Sequence, residues 1–576
     1  MSPSPELPPV APSVTAELVA ALTPRLRKRL DAGMAKLADR PVVREGDVVR
    51  IAIDDDTDLE LHVPDGTVAS VDAVRCGCLL APDCLHRAAI ASAAPVADDT
   101  GISSDTATST GEEPAAEQRT VEPETAGPDQ RAAARALLSA AAAVLEAGTD
   151  GAGAVLQAEL LRAAHAARLA GLHRAAASAV SVVTALRAAR AADPDYRLDD
   201  LVARLRDVLS VAHRVPDATG AELAGLRGTA RQPYRPDGSL RLYGLFCEPV
   251  LTASGYAGAV TWTADAGGRL YQVSDVAPGG AGRALGAADR AVRIGDTALT
   301  HRQLSRAGLA VSGATVSPSG RLGAGAGVRA VAAAGAGWRE EPLDRLWAVP
   351  VAEQLGRALS GGHDLLFLEV TLVGTAAEAS GECLLAECGA VVLRLTRAHD
   401  DPALPHRDNL RLLAAARGSR LRIVARLIPA PHPRAQLLAA EHPVLSGTRV
   451  DVGFDRLQRT DLPAVPASLA RPVPAAPEEA PVHLLRRRVR QAVSGGRRVL
   501  SFSGDTAADA RRLGRSGLVT AGELLEVLHA SAAERSRDVF GRLLPTDPDR
   551  FARAWLAAAR YTDELDRALC AAAWSG

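Results

Sequence analysis

The chain has 576 residues, room for about four domains of ~150 residues, and 66 Lys+Arg against 68 Asp+Glu leave a net charge of −2. That balance excludes a protein that coats nucleic acid by bulk positive charge. Hydrophobic residues reach 47%, enough for sizeable cores, but aromatics are only 3%, so those cores must be built from Ala, Val and Leu.

The opening MSPSPELPPVAPS lacks the basic and apolar runs of a secretory signal. No uninterrupted run of about 20 apolar residues suggests a membrane span. Seven scattered cysteines, an odd number, argue against a disulfide framework. The expectation is a cytoplasmic protein.

Residues 1–40 form an N-terminal helical segment, with Leu18, Leu22, Leu26, Leu30 and Met34 about one turn apart and Pro24 starting or breaking a helix. Its basic residues read as a solvated face. Over 41–95 the period shortens: VVRIAI, LELHV and TVASVDAV, parted by Asp-rich turns, predict two or three antiparallel strands leading into a cysteine cluster. Residues 96–129 carry a strong acidic excess and no apolar periodicity, which predicts a disordered linker. An Ala-rich helical domain of about four helices follows at 130–230.

A Gly-rich β region is expected at 236–345, with Asp-Ala-Gly-Gly as a hairpin turn near 265. Residues 346–462 are β-rich. Within them, 364–440 read strand-strand-strand-helix-strand-strand, the order of a small OB-like barrel. A Pro/Ala linker at 463–481 precedes a C-terminal helical domain at 482–576. The fold class is therefore multidomain α+β.

The residues that carry chemistry are Arg75-Cys76-Gly77-Cys78-Leu79-Leu80-Ala81-Pro82-Asp83-Cys84-Leu85-His86-Arg87. Zn²⁺ prefers four tetrahedral thiolate and imidazole ligands, and Cys₃His is an ordinary structural set. Cys76 and Cys78 share one side of an extended segment. Gly77 is expected to let the chain bend around the metal, and Asp83 to cap a helix starting near Cys84. Three of seven cysteines within nine residues, with a histidine two positions on, make chance clustering of ordinary buried thiols a poor explanation. With four protein ligands no position stays open for water, so the expected cofactor is one structural Zn²⁺ on Cys76, Cys78, Cys84 and His86. Arg75 and Arg87 are expected to offset the site's negative charge. A domain so small has a thin core and should unfold on chelation.

This strand-rich lead-in followed by Cys-x-Cys, a short Pro-containing spacer and Cys-x-His resembles the SWIM-type zinc finger, known from chromatin-remodelling ATPases, plant transposases and a kinase. The resemblance covers about 41–95. It implies a small zinc-stabilised ββα fold and a role in binding DNA or protein. The rest of the chain is similar to uncharacterised bacterial proteins that carry such a finger, a likeness that implies no activity.

Other signals are weaker. Gly325-Ala326-Gly327 begins a loose dinucleotide-type motif but follows a turn-rich stretch, so a Gly-rich loop is the better reading and no nucleotide cofactor is expected. His399, Asp400, Asp401 and His406 invite a metal or catalytic reading, against which stands a polar loop entering a helix. Cys383 and Cys388 read as buried thiols. Arg486, Arg487, Arg488, Arg490, Arg497 and Arg498 place six positive charges within thirteen residues, suited to nucleic acid or an acidic partner, though many such runs are only solvated helix faces. Walker, zincin and nucleophile-elbow signatures are missing. These readings point to a non-enzymatic interaction protein whose finger recognises a protein partner or nucleic acid, protein slightly favoured. The alternative is a nucleic-acid-binding protein that adds the arginine cluster and the barrel.

Overall fold

The computed structural model describes residues 7–38, 40–54, 57–97, 124–194, 196–229, 234–252, 256–325, 327–378, 381–463, 480–502, 504–534, 538–542 and 547–575. Most of the two expected linkers, 98–123 and 464–479, and Ala326 lie outside the described residues. The chain is mixed α+β and divides into two units, Met1–Ala230 with Ala480–Thr562, and Arg231–Glu479 with Asp563–Gly576.

In the first unit, a four-stranded antiparallel sheet runs in chain order: β1 (Val42–Glu45), β2 (Val48–Asp54), β3 (Thr57–His62) and β4 (Val74–Cys76). VVRIAI and LELHV fall on β2 and β3. The third apolar run instead makes a 3₁₀ turn, Val71–Ala73, before β4. Alternation sends Val49, Ile51, Leu59, Leu61 and Val74 to one buried face. Helices Pro12–Ala21, Leu30–Ala38 and Leu85–Ala93 cover it with Leu18, Leu30, Ala88 and Ile90. Pro24 opens the short helix Pro24–Arg27, as a proline at the first helical position does.

Five helices follow: Pro128–Gly151, Ala154–Leu169, His173–Arg190, Leu198–Arg214 and Gly220–Arg227. Four more come from the chain's far end: His483–Leu500, Thr506–Arg515, Val519–Ala533 and the first part of Pro548–Trp574. All nine contribute to one core: Leu137, Leu160, Val182, Leu209 and Leu226 meet Val489, Leu513, Leu525, Phe551 and Trp555. Trp555, fully buried, donates its indole N–H to the Val489 carbonyl (3.0 Å). Pro128–Gly151 is long and apolar enough to cross a membrane by length and composition, but half of its apolar window is buried inside the protein, as in a core helix.

Among the described residues, the second unit holds two sheets. The first is antiparallel, ordered β7-β6-β5-β8-β9, from β5 (Arg235–Leu251), β6 (Tyr256–Ala264), β7 (Leu270–Pro278), β8 (Gly308–Val316) and β9 (Arg329–Ala333). The expected Asp-Ala-Gly-Gly hairpin joins β6 to β7. There Asp265 accepts from the amides of Gly267 and Arg269, and Gly268 takes φ +87°. The second contains β10 (Leu365–Glu378), β11 (Gly381–Cys388), β12 (Val391–Thr396), β13 (Arg420–Leu427), β14 (Arg434–Glu441) and β15 (Arg449–Asp451). Its order is β12-β11-β10-β13-β14-β15, and a parallel pairing of β12 with β14 closes β10 to β14 into a ring. Helix His406–Ala415 lies between β12 and β13 in sequence. Leu366, Leu368, Leu384, Leu393, Ile423 and Leu437 are buried together.

Candidate metal centre

The cysteine cluster sits where the last strand of the first sheet gives way to helix Leu85–Ala93. Cys76 ends β4, paired with Leu59 of β3. The Gly77 amide extends that ladder by donating to the Asp58 carbonyl (3.0 Å). Residues 77–83 then loop out and return Cys84 to the N-cap of the helix, with His86 one residue inside it. One ligand atom from each of Cys76, Cys78, Cys84 and His86 lies within 4.8 Å of the others. Cys76 Sγ and His86 Nδ1 are 3.7 Å apart. Metal–ligand bonds of ~2.0–2.3 Å at tetrahedral angles place neighbouring donors about 3.5–3.8 Å apart. The donor set therefore fits and could hold one metal ion.

Burial is the leading influence on all three thiols. It pushes Cys76 up to about 12, and the neighbouring sulfurs add to the rise. Cys84 is raised as well, against the pull of the Arg87 amide. Burial also opposes ionisation of Cys78, but the amides of Leu80 and Ala81 and the two adjacent thiols hold its thiolate below the ordinary thiol range. Three sulfurs this close cannot all ionise at neutral pH without a cation between them, and a divalent metal supplies that charge.

Three details differ from expectation. A Cβ on Gly77 would meet only Asp58 backbone atoms at 3.8–3.9 Å, an ordinary contact, so the loop does not depend on glycine there. The helix is capped at Cys84, not Asp83. Arg87, expected only to offset charge, is 5% exposed and bonds three carbonyls: Val74 (2.5 Å), Pro82 (2.5 Å) and Val71 (2.6 Å). Two of those carbonyls lie two residues before a ligand cysteine. Arg87 is thus a positioning residue that ties the two halves of the donor set together, and an arginine directly after the Cys-x-His pair hints at it only by proximity.

Arg87→Met keeps the packing of the stem but leaves three carbonyls without their donor. Each charged hydrogen bond of this kind contributes ~1.5–3 kcal/mol, so metal affinity should fall at least tenfold. Competition with a chromophoric chelator measures it, and unchanged affinity would show that the ligands hold their places without Arg87.

The other candidates are dispersed. His399 and His406 have rings 5.8 Å apart, His399 with Nε2 3.0 Å from the Pro249 carbonyl. Burial lowers the basicity of both imidazoles, that of His406 to about 3. Asp400 instead bridges Arg397 and Arg407 (2.8 and 2.6 Å), and Asp401 accepts from the Ala403 amide. The four are not brought together as one ligand set. Gly325 and Gly327 precede β9 rather than a helix, so the dinucleotide reading lacks its structural context. Cys383 and Cys388 are buried, and burial raises both thiols.

Arginines 486 to 498 lie on helix His483–Leu500. Arg490 forms a two-pronged pair with Asp199 (2.6 and 2.7 Å), and Arg488 pairs with Asp509 (3.3 Å). Arg497 is buried, bonded to the Ala532 and Glu534 carbonyls and to Glu146. Arg486 is half-buried, while Arg487 and Arg498 are exposed. Much of this charge is thus engaged within the unit's own fold. Neither a family model nor a curated protein nor a solved structure matches the chain.

Proposed function

We propose that the chain is a non-enzymatic interaction protein whose SWIM-type finger, closed around one structural Zn²⁺ by Cys76, Cys78, Cys84 and His86, recognises protein partners. The gathering of those four donors within 4.8 Å carries this reading. A second observation favours protein over nucleic acid: between the ligand pairs, Leu79 is fully exposed and Leu80 largely so. Exposed apolar side chains on a metal-braced loop suit an apolar docking surface, whereas a phosphate-binding loop presents arginine or lysine.

The nucleic-acid alternative draws on the ring of β10 to β14. Its circuit, with a helix between third and fourth strands, supports reading it as OB-like. The internal pairing of Arg488, Arg490 and Arg497 weakens the contribution of the arginine cluster.

Metal analysis of the purified protein by mass spectrometry tests the centre. About one zinc per chain is expected, lost in Cys84→Ala and in His86→Ala, and absence of zinc from protein purified without chelator would remove the finger assignment. A salt series of DNA anisotropy titrations separates the partner classes. Steep loss of affinity with salt favours nucleic acid, and no binding at low salt leaves the protein reading.

A further inference from the structure

We infer that a second site, in the other unit, binds a phosphoryl dianion: free phosphate or the phosphate of a small phosphomonoester. A cavity of about 270 Å³ opens between the β10–β11 hairpin and helix His406–Ala415. Its lining includes three arginines, Arg397, Arg407 and Arg411, and one acidic residue, Glu382. Leu384 and Leu410 give it an apolar floor, and Cys383 a thiol that burial keeps protonated.

The charge arrangement is unfavourable by itself. Arg407 and Arg411 stand one turn apart on the same helix, where like charges repel, and Arg397 approaches from the segment after β12. Asp400, outside the lining, offsets part of this by accepting from Arg397 and Arg407 at 2.8 and 2.6 Å. Counting Glu382 leaves the lining at +2, and counting Asp400 too leaves +1. Three arginines lining one concave space suit an acceptor with several oxygens and two charges. The volume takes a phosphate with some of its water, or a small molecule that carries one, since a water occupies ~30 Å³.

The test titrates inorganic phosphate, O-phosphoserine and serine into the full chain by calorimetry at constant ionic strength. Saturable phosphate binding in the millimolar range or tighter is expected, weakened about tenfold by Arg411→Gln or Arg397→Gln, the loss of one charged hydrogen-bond partner. Arg329→Gln, on exposed β9 of the same unit, should leave binding unchanged. Arg411 is exposed, and its variant should melt with the parent in the absence of ligand. Tighter binding of O-phosphoserine than of phosphate assigns the site to a phosphomonoester, and equal affinity to the free anion; serine should not bind. Absence of saturable phosphate binding would overturn the inference. So would binding indifferent to both arginine variants, or an oligonucleotide that binds through these arginines when phosphate does not.

Discussion

Gly148→Ala, and separately Gly496→Ala, should destabilise the first unit by about 3 kcal/mol or more. Both glycines interrupt a long helix with nearly the same backbone angles, φ 70°, ψ 176° and φ 71°, ψ −176°. Their helices, Pro128–Gly151 and His483–Leu500, touch backbone to backbone there. A Cβ on Gly148 would lie 2.2 Å from the Gly496 amide nitrogen, and one on Gly496 would lie 2.5 Å from the Glu146 carbonyl oxygen. Thr149 locks the contact by donating its hydroxyl to the Ser494 carbonyl at 2.6 Å.

A backbone at positive φ with ψ near 180° is essentially glycine-only and by itself costs an alanine ~1–3 kcal/mol, and relief of the clash requires two core helices to separate, with loss of the packing around them. Gly127→Ala is the control: a Cβ there meets nothing within 4 Å and φ is −70°. Hydrogen exchange across 128–151 and 483–500 should accelerate in the first two variants and hardly change in the third. Slow exchange in Gly148→Ala would mean that the helices do not meet this closely.

Chelator treatment should open the loop between Cys76 and Cys84 without unfolding the sheet that carries it. Amides of residues 76–84 are expected to lose protection by a hundredfold or more, corresponding to ~2.7 kcal/mol, while β2, β3 and helix Leu85–Ala93 keep theirs. An isolated finger of about 55 residues would have a thin core and fold only with its metal. The segment that carries the cluster is built into a larger core: Val14, Leu18, Leu22 and Leu30 from the N-terminal region, and Ala154 and Ala158 from helix Ala154–Leu169, close over Ile51, Leu59 and Leu61. Exchange measured with and without chelator separates the two cases. Global loss of protection through 42–94 would show that the metal, not this core, holds the sheet.

The donor set was legible because metal chemistry restricts residue type and spacing so tightly that Cys76, Cys78, Cys84 and His86 declare themselves within eleven positions. The strands before them were legible through alternation, as at β2 and β3. What hydropathy cannot reveal is the target of a hydrogen bond. Arg87 was visible as a charge beside the site, but its three carbonyl partners belong to a turn, a strand and a loop that meet only on folding. Conversely, Gly77 suggested a conformational need that the backbone does not have.

The same division runs through the whole molecule. Sequence by itself determined the mixed α+β class, the Ala-rich helices, the strand-strand-strand-helix-strand-strand order of β10 to β14 and the four donor side chains that the fold gathers, because each follows from local periodicity or ligand chemistry. Tertiary structure alone decided that helices from both ends of the chain share one core, that Gly148 meets Gly496, that β12 closes on β14, and that Arg488, Arg490 and Arg497 are engaged internally. Periodicity specifies which face of an element is apolar. The partner of that face, or of a charge beside it, can be hundreds of residues away, as Asp199 is for Arg490, and is selected by packing the entire chain at once.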